Sequence, residues 1–193
     1  MDQPTLILIG GANGSGKTTL AREYVTDQGL LYLGADQMAF ELNPNDVESV
    51  AIEAGRLFIK KIAETLEKGE SFILESTLSG LSLRKWIRKA HEAGYFIKLA
   101  FVYLDSPNLC VERVSARVSR GGHHVPAADI IRRYSRSNHN FWNQYKDLCD
   151  EWKLFNNMDA TIIPVATGDE SGILISDDER FAIWLKMVME TEI

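Results

Sequence analysis

The sequence predicts a three-layer α/β fold in which a mostly parallel, five-stranded sheet carries helices on both faces. Short apolar runs alternate with longer segments of helical periodicity over most of the 193 residues, which is the pattern of parallel strands joined by helices. The first run, residues 5–9, shows no polar alternation, as is typical of a strand covered on both faces. A glycine-rich turn separates this run from a helical segment. Because no linker or repeat interrupts the pattern, residues 1–193 are predicted to form one domain.

Each predicted element rests on its own pattern. Apolar runs of strand length predict the five strands over residues 5–9, 30–33, 71–74, 95–104 and 152–155. Helical spacing of apolar residues predicts helices over about residues 17–28, 47–68, 83–93, 107–120, 127–147 and 178–190. Gly29, Gly69 and Gly94 mark helix ends, and Ser106-Pro107 has the residue types that begin a helix. Residues 161–165 and 173–175 predict two further short strands.

The turn after the first strand matches the phosphate-binding pattern G-x-x-x-x-G-K-[ST]. Its glycines allow left-handed backbone angles, so that successive N–H groups form a nest for phosphate oxygens at the start of a helix. Lys17 is predicted to act in catalysis at the β- and γ-phosphates of ATP or GTP, and the Thr18 hydroxyl is predicted to ligate Mg²⁺. The predicted nucleotide-binding residues of this loop are Gly11, Ala12, Asn13, Gly14, Ser15, Gly16, Lys17, Thr18 and Thr19.

Polar residues follow several of the predicted strands. Right-handed connections place the carboxyl ends of parallel strands along one edge of a sheet, so we expect these side chains near the phosphate loop. In a phosphoryl-transfer reaction, Asp36 is predicted to be the base that activates the phosphoryl acceptor and to contact a metal-bound water. Glu75 and Thr77 are predicted to bind the acceptor. Asn156 is predicted to edge the adenine pocket. Asp105 is predicted only to begin the turn before the next helix.

Arginines cluster on two helices that Gly121-Gly122 joins, and this glycine pair predicts a lid over about residues 113–136. Because cations stabilise the charge on a transferring phosphoryl group, we expect at least two of these five arginines at the active site. They are Arg113, Arg117, Arg120, Arg132 and Arg133. The alternative is an ordinary charged surface in which Glu112 or Asp129 pairs with some of them. His123 and His124 have no third ligand at a suitable spacing for a metal, so we expect loop hydrogen bonds from them.

Composition excludes several classes of protein. The net charge of −6 argues against a nucleic-acid partner held by bulk electrostatics. The two cysteines, Cys110 and Cys149, have neither metal-ligand spacing nor a disulfide framework, and reduced thiols are expected. No apolar run is long enough for a membrane span, and residues 1–4 lack the basic start of a signal peptide. The expected location is therefore cytoplasmic, and no membrane partner is expected. The expected partner is a small-molecule acceptor.

In order and spacing, these motifs resemble the short members of the zeta-toxin-like P-loop kinases over about residues 6–157. The most diagnostic segment is Gly121-Gly122-His123-His124-Val125-Pro126, followed by Ile131-Arg132-Arg133. The other segments that carry the resemblance are residues 11–19, 35–36 with 43–44, 54–56, 72–80, Arg113 with Arg117, and 151–157.

The resemblance implies a three-layer P-loop kinase-like fold with an arginine-bearing lid, binding of ATP or GTP, and phosphoryl transfer to a hydroxyl of a small-molecule acceptor. It places an acceptor-activating aspartate at Asp36 and an acceptor-binding glutamate at Glu75. It also places phosphate-clamping, catalytic arginines at Arg120 and at Arg117 or Arg133, the last of which is expected near the substrate.

Similarity to nucleotide kinases further places Arg113 beside the adenine. This chain departs from many short relatives at Gly34, where they have asparagine, and at Asn156, where they have aspartate. It also lacks the longer segments that shape the sugar-nucleotide pocket of the larger toxins. The characterised toxins phosphorylate a UDP-activated amino sugar, but nothing in this sequence indicates an antitoxin partner.

Three functions compete at this point. An ATP-dependent small-molecule kinase is favoured by Asp36, Glu75 and the arginine lid, because a switch or motor needs no acceptor base. A nucleotide-dependent regulatory or toxin-type protein would use the same phosphate loop to control a protein partner. A polynucleotide 5′-kinase is disfavoured by the negative net charge.

Overall fold

A computed structural model describes residues 3–122, 124–158 and 161–190, except for the side chains of residues 27 and 28. The strands are β1 (Thr5–Gly10), β2 (Leu31–Gly34), β3 (Phe72–Ser76), β4 (Phe96–Tyr103), β5 (Glu151–Asn156), β6 (Ile163–Asp169) and β7 (Gly172–Ile175). The helices are α1 (Lys17–Gln28), α2 (Ala35–Leu42), α3 (Ala51–Lys68), α4 (Arg84–Glu92), α5 (Pro107–Val118), α6 (Ala127–Asn140) and α7 (Asp178–Met189). A π-helical turn (Phe141–Tyr145) and a 3₁₀ turn (Lys146–Leu148) continue α6.

The strands form one sheet in the order β2-β3-β1-β4-β5-β6-β7. All pairings among the first five strands are parallel, which confirms the predicted α/β class. The predicted count of five is wrong for the whole sheet, because β6 and β7 add to its far edge as antiparallel strands. These are the two short strands predicted over residues 161–165 and 173–175, and each is longer than its predicted range.

Both faces of the sheet are covered, as the apolar first strand predicts. Alternate side chains of β1 enter different cores: Leu6 and Leu8 pack on one face, and Ile7 and Ile9 on the other. The first core includes residues of α3, α4 and α7, namely Ile62, Ile87 and Trp184, and the second includes Leu20 and Ala21 of α1. Helices on both sides of one sheet make the three layers.

Strand order brings the site together. β1 lies between β3 and β4, and β3 lies between β1 and β2. Gly10 pairs with Ser76, and Gly34 pairs with Glu75, at the last residues of these ladders. The loop after β1, the start of α2 and the end of β3 therefore meet at one edge of the sheet.

Two helices differ from the sequence prediction. Asp36 lies just after β2, as predicted, but it belongs to the first turn of α2, a short helix that the sequence did not predict. The helix predicted from residue 127 to 147 is α-helical only to Asn140. The π-helical turn that follows turns Phe141 and Tyr145 into the core, where both are fully buried.

Cys110 and Cys149 are free thiols. Cys110 is fully buried in α5, and this burial raises the pKa of its thiol to about 11.

Among the residues that the structure describes, no helix is long and apolar enough to cross a membrane.

Candidate active site

The loop from β1 to α1 has the backbone shape that a phosphate cradle needs. Gly11 and Gly16 have φ angles of 141° and 106°, which side chains rarely tolerate. A Cβ at Gly16 would also overlap with the Asn157 amide, and a Cβ at Gly11 would overlap with the Val102 carbonyl. Both glycines of the sequence pattern are therefore required by conformation and by space.

The two polar residues that end the pattern point toward Glu75. Lys17 is 5% exposed; its Nζ donates to the Ala12 carbonyl at 2.9 Å and lies 3.9 Å from Glu75 Oε1. Thr18 Oγ1 donates to the same carboxylate oxygen at 3.3 Å. The phosphate loop and the end of β3 thus share one polar centre.

Tyr32 is a site residue that sequence reasoning missed. Its hydroxyl donates to Glu75 Oε2 at 2.6 Å. Burial, together with the negative charge of Glu75, raises the pKa of Tyr32 above its usual range, so the hydroxyl keeps its proton as the donor. A Cβ at Gly34 would lie 2.8 Å from this hydroxyl, so glycine at residue 34 leaves room for it. No local pattern signals this role, because the partner carboxylate lies 43 positions away in the sequence.

This donor set fits a magnesium ion that arrives with a nucleotide. Thr18 and Glu75 supply hydroxyl and carboxylate oxygens 3.3 Å apart, and Mg²⁺ is commonly held by one or two such oxygens together with substrate phosphates. Within the described residues, no group of three or more His, Cys, Asp or Glu side chains could hold a metal alone. Thr18 remains the predicted metal ligand, with Glu75 beside it.

Two hydrogen bonds link the side chains of Asp36, Asn13 and Arg133 across the site. Asn13 Nδ2 donates to Asp36 Oδ2 at 3.3 Å, and Arg133 Nη1 donates to Asn13 Oδ1 at 3.2 Å. The Asn13 side chain is 3% exposed, whereas Asp36 is exposed. One amide of the phosphate loop thus links α2, which carries Asp36, to α6, which carries Arg133.

The remaining arginines take different places. Arg113 Nη2 donates to the carbonyls of Asn157 and Met158 at 2.7 and 2.9 Å, and Asn157 Nδ2 donates to the Ser15 carbonyl at 2.8 Å. Arg113 therefore braces the segment after β5 against the phosphate loop, and its adenine contact stays a prediction. Arg132 pairs with Asp129 at 2.6 Å on the surface, which is the alternative that the sequence left open.

The lid prediction covers residues 113–136, from which residue 123 lies outside the described part of the chain. Arg117 is half-buried near the end of α5, where its carbonyl accepts from Gly122 N at 3.0 Å. Arg120 is exposed in the turn that follows. Their catalytic contacts with phosphate stay predictions, as does the loop hydrogen bonding expected of His123, which is the undescribed residue.

Asn156, the last residue of β5, is fully buried. Its Nδ2 donates to Asp105 Oδ1 at 2.8 Å, and its Oδ1 accepts from Met158 N at 3.0 Å. These contacts shape the turn after β5, while the neighbouring Asn157 reaches the phosphate loop. A contact of Asn156 with adenine stays a prediction.

A cavity of about 220 Å³ opens at this edge of the sheet. Residues from the phosphate loop, α2, the end of β3 and α6 line it, among them Lys17, Asp36, Glu75, Thr77, Ser79 and Arg133. Arg133 is the lid arginine that lines this cavity within the described residues. The arrangement places Lys17 and two carboxylates around one space.

Known proteins share this sequence and fold to different degrees. An uncharacterized protein of Haemophilus influenzae (strain Rd) is 33% identical over 130 residues, which are 67% of this chain and 91% of that protein. The crystal structure of AvrRxo1-ORF1:-ORF2 with ATP aligns with a TM-score of 0.77 at 16% identity, covering 99% of this chain but only 65% of that chain. A chain of the PezAT toxin–antitoxin system of Streptococcus pneumoniae aligns with a TM-score of 0.67 at 18% identity, covering 100% of this chain and 81% of that chain.

At 16% and 18% identity, the two structures are evidence of a shared fold. The sequence model of the zeta toxin family, in contrast, matches residues 1–163, which is most of the chain. This match includes the phosphate loop, both carboxylates of the cavity and the arginines of α5 and α6. The resemblance found in the sequence is thereby confirmed, and the chain belongs to the zeta toxin family.

Proposed function

We propose that this protein is an ATP-dependent phosphotransferase that moves the γ-phosphoryl group of ATP or GTP to a hydroxyl of a small-molecule acceptor. Membership of the zeta toxin family supports nucleotide binding, as does the likeness to a fold that has been solved with ATP. The observation that carries the proposal is the position of Asp36. It lines the same cavity as Lys17, and the phosphate-loop residue Asn13 holds it at 3.3 Å.

The chemistry follows from these positions. The phosphate loop and Lys17 bind the donor phosphates, and Arg133 adds positive charge on the lid side. An acceptor hydroxyl in the cavity gives its proton to Asp36 as its oxygen forms a bond to the γ-phosphorus. The bond between that phosphorus and the β–γ bridging oxygen breaks, ADP leaves, and Asp36 passes the proton to water. Mg²⁺, held at Thr18 and Glu75, would neutralise charge on the phosphate oxygens.

The Asp36→Asn variant tests the proposal, because asparagine keeps the hydrogen-bond geometry but cannot accept the proton. We expect acceptor turnover to fall at least about 100-fold, with an ATP dissociation constant within about threefold of wild type. Asp178→Asn, an exposed aspartate in the first turn of α7, is the matched control and should keep full turnover. If Asp36→Asn turns over every acceptor at the wild-type rate, Asp36 is not the base.

A more specific function is a toxin-type kinase that acts on a UDP-N-acetyl amino sugar. The family match supports it, because the characterised toxins that this chain resembles use that acceptor. A nucleotide-dependent regulatory ATPase is the other alternative. It predicts ATP hydrolysis that no acceptor accelerates and that Asp36→Asn leaves unchanged, so the same variant distinguishes it from a kinase.

A further inference from the structure

The peptide bond between Ser15 and Gly16 lies at the junction of the phosphate loop and α1, directly before Lys17. Thr19 N and Leu20 N both donate to the Gly16 carbonyl, at 3.0 and 3.2 Å, so the hydrogen bonds of α1 begin one residue after the Ser15 carbonyl. Ser15 Oγ is buried and has no hydrogen-bond partner among the described residues. The orientation of this peptide therefore depends on a contact from outside the loop.

Asn157, in the turn after β5, supplies this contact. Its Nδ2 donates to the Ser15 carbonyl at 2.8 Å, across 142 positions of sequence, and the side chain is only 6% exposed. The amide lies so close to the backbone of the loop that a Cβ at Gly16 would be 2.2 Å from Nδ2. The amide of Asn157 and the missing side chain of Gly16 thus form one close contact.

This contact decides where the N–H group of Gly16 points. In a planar trans peptide, the carbonyl and the following N–H point in opposite directions, and the described residues contain no cis peptide bond. Because Asn157 holds the Ser15 carbonyl, the Gly16 N–H is directed away from Asn157. Gly16 is the N-cap of α1, and no side chain caps this helix, so its first N–H groups are left for a ligand.

The backbone of Asn157 is itself held from two sides. Asn157 N donates to the Tyr103 carbonyl of β4 at 3.1 Å. Arg113 Nη2, from α5, donates to the carbonyls of Asn157 and Met158 at 2.7 and 2.9 Å. The amide therefore starts from a fixed point, and the peptide that it orients is in place without a nucleotide. Donors that are oriented in advance lose less free energy when a ligand binds.

We propose that Asn157 is a positioning residue for the donor phosphates: by holding the Ser15 carbonyl, it directs the Gly16 N–H to a phosphate oxygen. This proposal rests on the nucleotide binding proposed above and assigns a role in it to a residue outside the phosphate-loop pattern. Asn157 acts through the loop and needs no contact with the nucleotide. It differs in this respect from the adenine contact predicted for Asn156.

Asn157→Ala tests the effect on affinity. We expect the dissociation constant of Mg·ADP to rise at least about tenfold, because the Gly16 N–H loses its fixed direction toward a charged oxygen. Asn157→Leu, which keeps most of the side-chain volume but cannot donate, should give the same loss. Titration calorimetry measures the affinity, and thermal unfolding without nucleotide shows that each variant is folded.

Asn138→Ala is the matched control. Asn138 is also buried, and its Nδ2 donates to the Tyr134 carbonyl at 2.9 Å while its Oδ1 accepts from Trp184 Nε1. Its removal costs stability in the contact between α6 and α7. We expect Asn138→Ala to bind Mg·ADP within about threefold of wild type, because a lost buried hydrogen bond away from the loop leaves the phosphate donors in place.

A spectroscopic measurement follows the peptide itself. Protein labelled with carbonyl-¹³C serine and ¹⁵N glycine gives HNCO signals only from serine–glycine pairs, which are Ser15-Gly16, Ser79-Gly80 and Ser171-Gly172. In the wild type, we expect Mg·ADP to move the Gly16 amide proton downfield. In Asn157→Ala, the Ser15 carbonyl should shift before nucleotide is added and the response of Gly16 should shrink. Asn138→Ala should keep the wild-type pattern, and the Gly172 signal of β7 should stay unchanged throughout.

The outcomes separate this role from the proposed function. Wild-type affinity for Mg·ADP in Asn157→Ala would overturn the positioning role and leave the phosphotransferase proposal in place. Lost affinity with an unchanged signal of Ser15-Gly16 would also overturn it, because Asn157 would then act on the nucleotide directly. Failure of the wild-type protein to bind Mg·ADP would overturn the nucleotide binding on which both proposals rest.

Discussion

The hydroxyl of Tyr32 holds one oxygen of Glu75 at 2.6 Å, which leaves the other oxygen to Thr18 and Lys17. A hydrogen bond to a charged group contributes about 1.5–3 kcal/mol, so we expect Tyr32→Phe to lower turnover about 10- to 100-fold. The physical reason is that Glu75 becomes free to rotate away from the phosphate loop.

Tyr24→Phe, which removes the same atom from a half-buried tyrosine of α1, is the control for Tyr32→Phe. Steady-state kinetics at saturating ATP measures the difference. Equal turnover of the two variants would contradict a positioning role for Tyr32.

Lys17→Ala should remove most of the stabilisation that ATP provides. A ligand at 100 times its dissociation constant stabilises a protein by about 2.7 kcal/mol, and Lys17 belongs to the loop that is proposed to bind the phosphates. Thermal unfolding with and without Mg²⁺ and ATP measures this effect. Lys153→Ala, an exposed lysine of β5, should respond to ATP as the wild type does. An unchanged response of Lys17→Ala would remove the basis for nucleotide binding at this loop.

Asn140→Ala should loosen the segment after β3. Asn140 Nδ2 donates to the Leu78 carbonyl at 2.8 Å, and Leu78 has a φ angle of 55°, which is unusual for leucine. Leaving this buried carbonyl without a partner should lower the free energy of unfolding by about 1–3 kcal/mol, as measured by urea denaturation.

Asn143→Ala is the matched control, because Asn143 makes an exposed hydrogen bond to the His139 carbonyl one turn away. It should cost far less than Asn140→Ala. Similar losses in both variants would mean that the segment after β3 does not depend on Asn140.

Buried tyrosines should make the fold sensitive to alkaline pH. Burial is the main cause that raises the pKa values of Tyr32, Tyr103 and Tyr134. Below about pH 10, folded and unfolded chains both keep these protons; above it, the unfolded chain loses them first, so it binds fewer protons. The free energy of unfolding should therefore fall as pH rises above about 10.

Urea denaturation between about pH 8 and pH 11, with tyrosinate absorbance followed in parallel, checks this expectation. Native protein should show these tyrosines ionising only as it unfolds. Their ionisation near pH 10 without loss of stability would contradict it.

The sequence was enough to predict that the phosphate loop and the two carboxylates lie at the same edge of the sheet. The glycine pattern places Lys17 and Thr18 by local rules, and parallel strands with right-handed connections bring Asp36 and Glu75 to the same edge. These inferences need only short-range patterns and chain topology. The five parallel strands were predictable for the same reason.

Other features depend on distant residues and could not be predicted. The start of α2 has no capping side chain at Gly34, so no signal marks the helix that carries Asp36. Tyr32 lies in an apolar strand, and this pattern predicts a core residue. Its role in the site depends on a contact with Glu75, which is 43 positions away. The link between Arg133 and Asn13 spans 120 positions. Sequence spacing carries no information about contacts of that range.

The position of Asn13 between Asp36 and Arg133 restricts which residues can evolve there. Its carboxamide nitrogen donates to the Asp36 carboxylate, and its carboxamide oxygen accepts from the Arg133 guanidinium. Aspartate would satisfy Arg133 and repel Asp36, and a shorter or apolar side chain would release both. Residue 13, which the phosphate-loop pattern leaves unspecified, should therefore vary far less in this protein than the generic motif allows, and any change there should be accompanied by changes at residues 36 and 133.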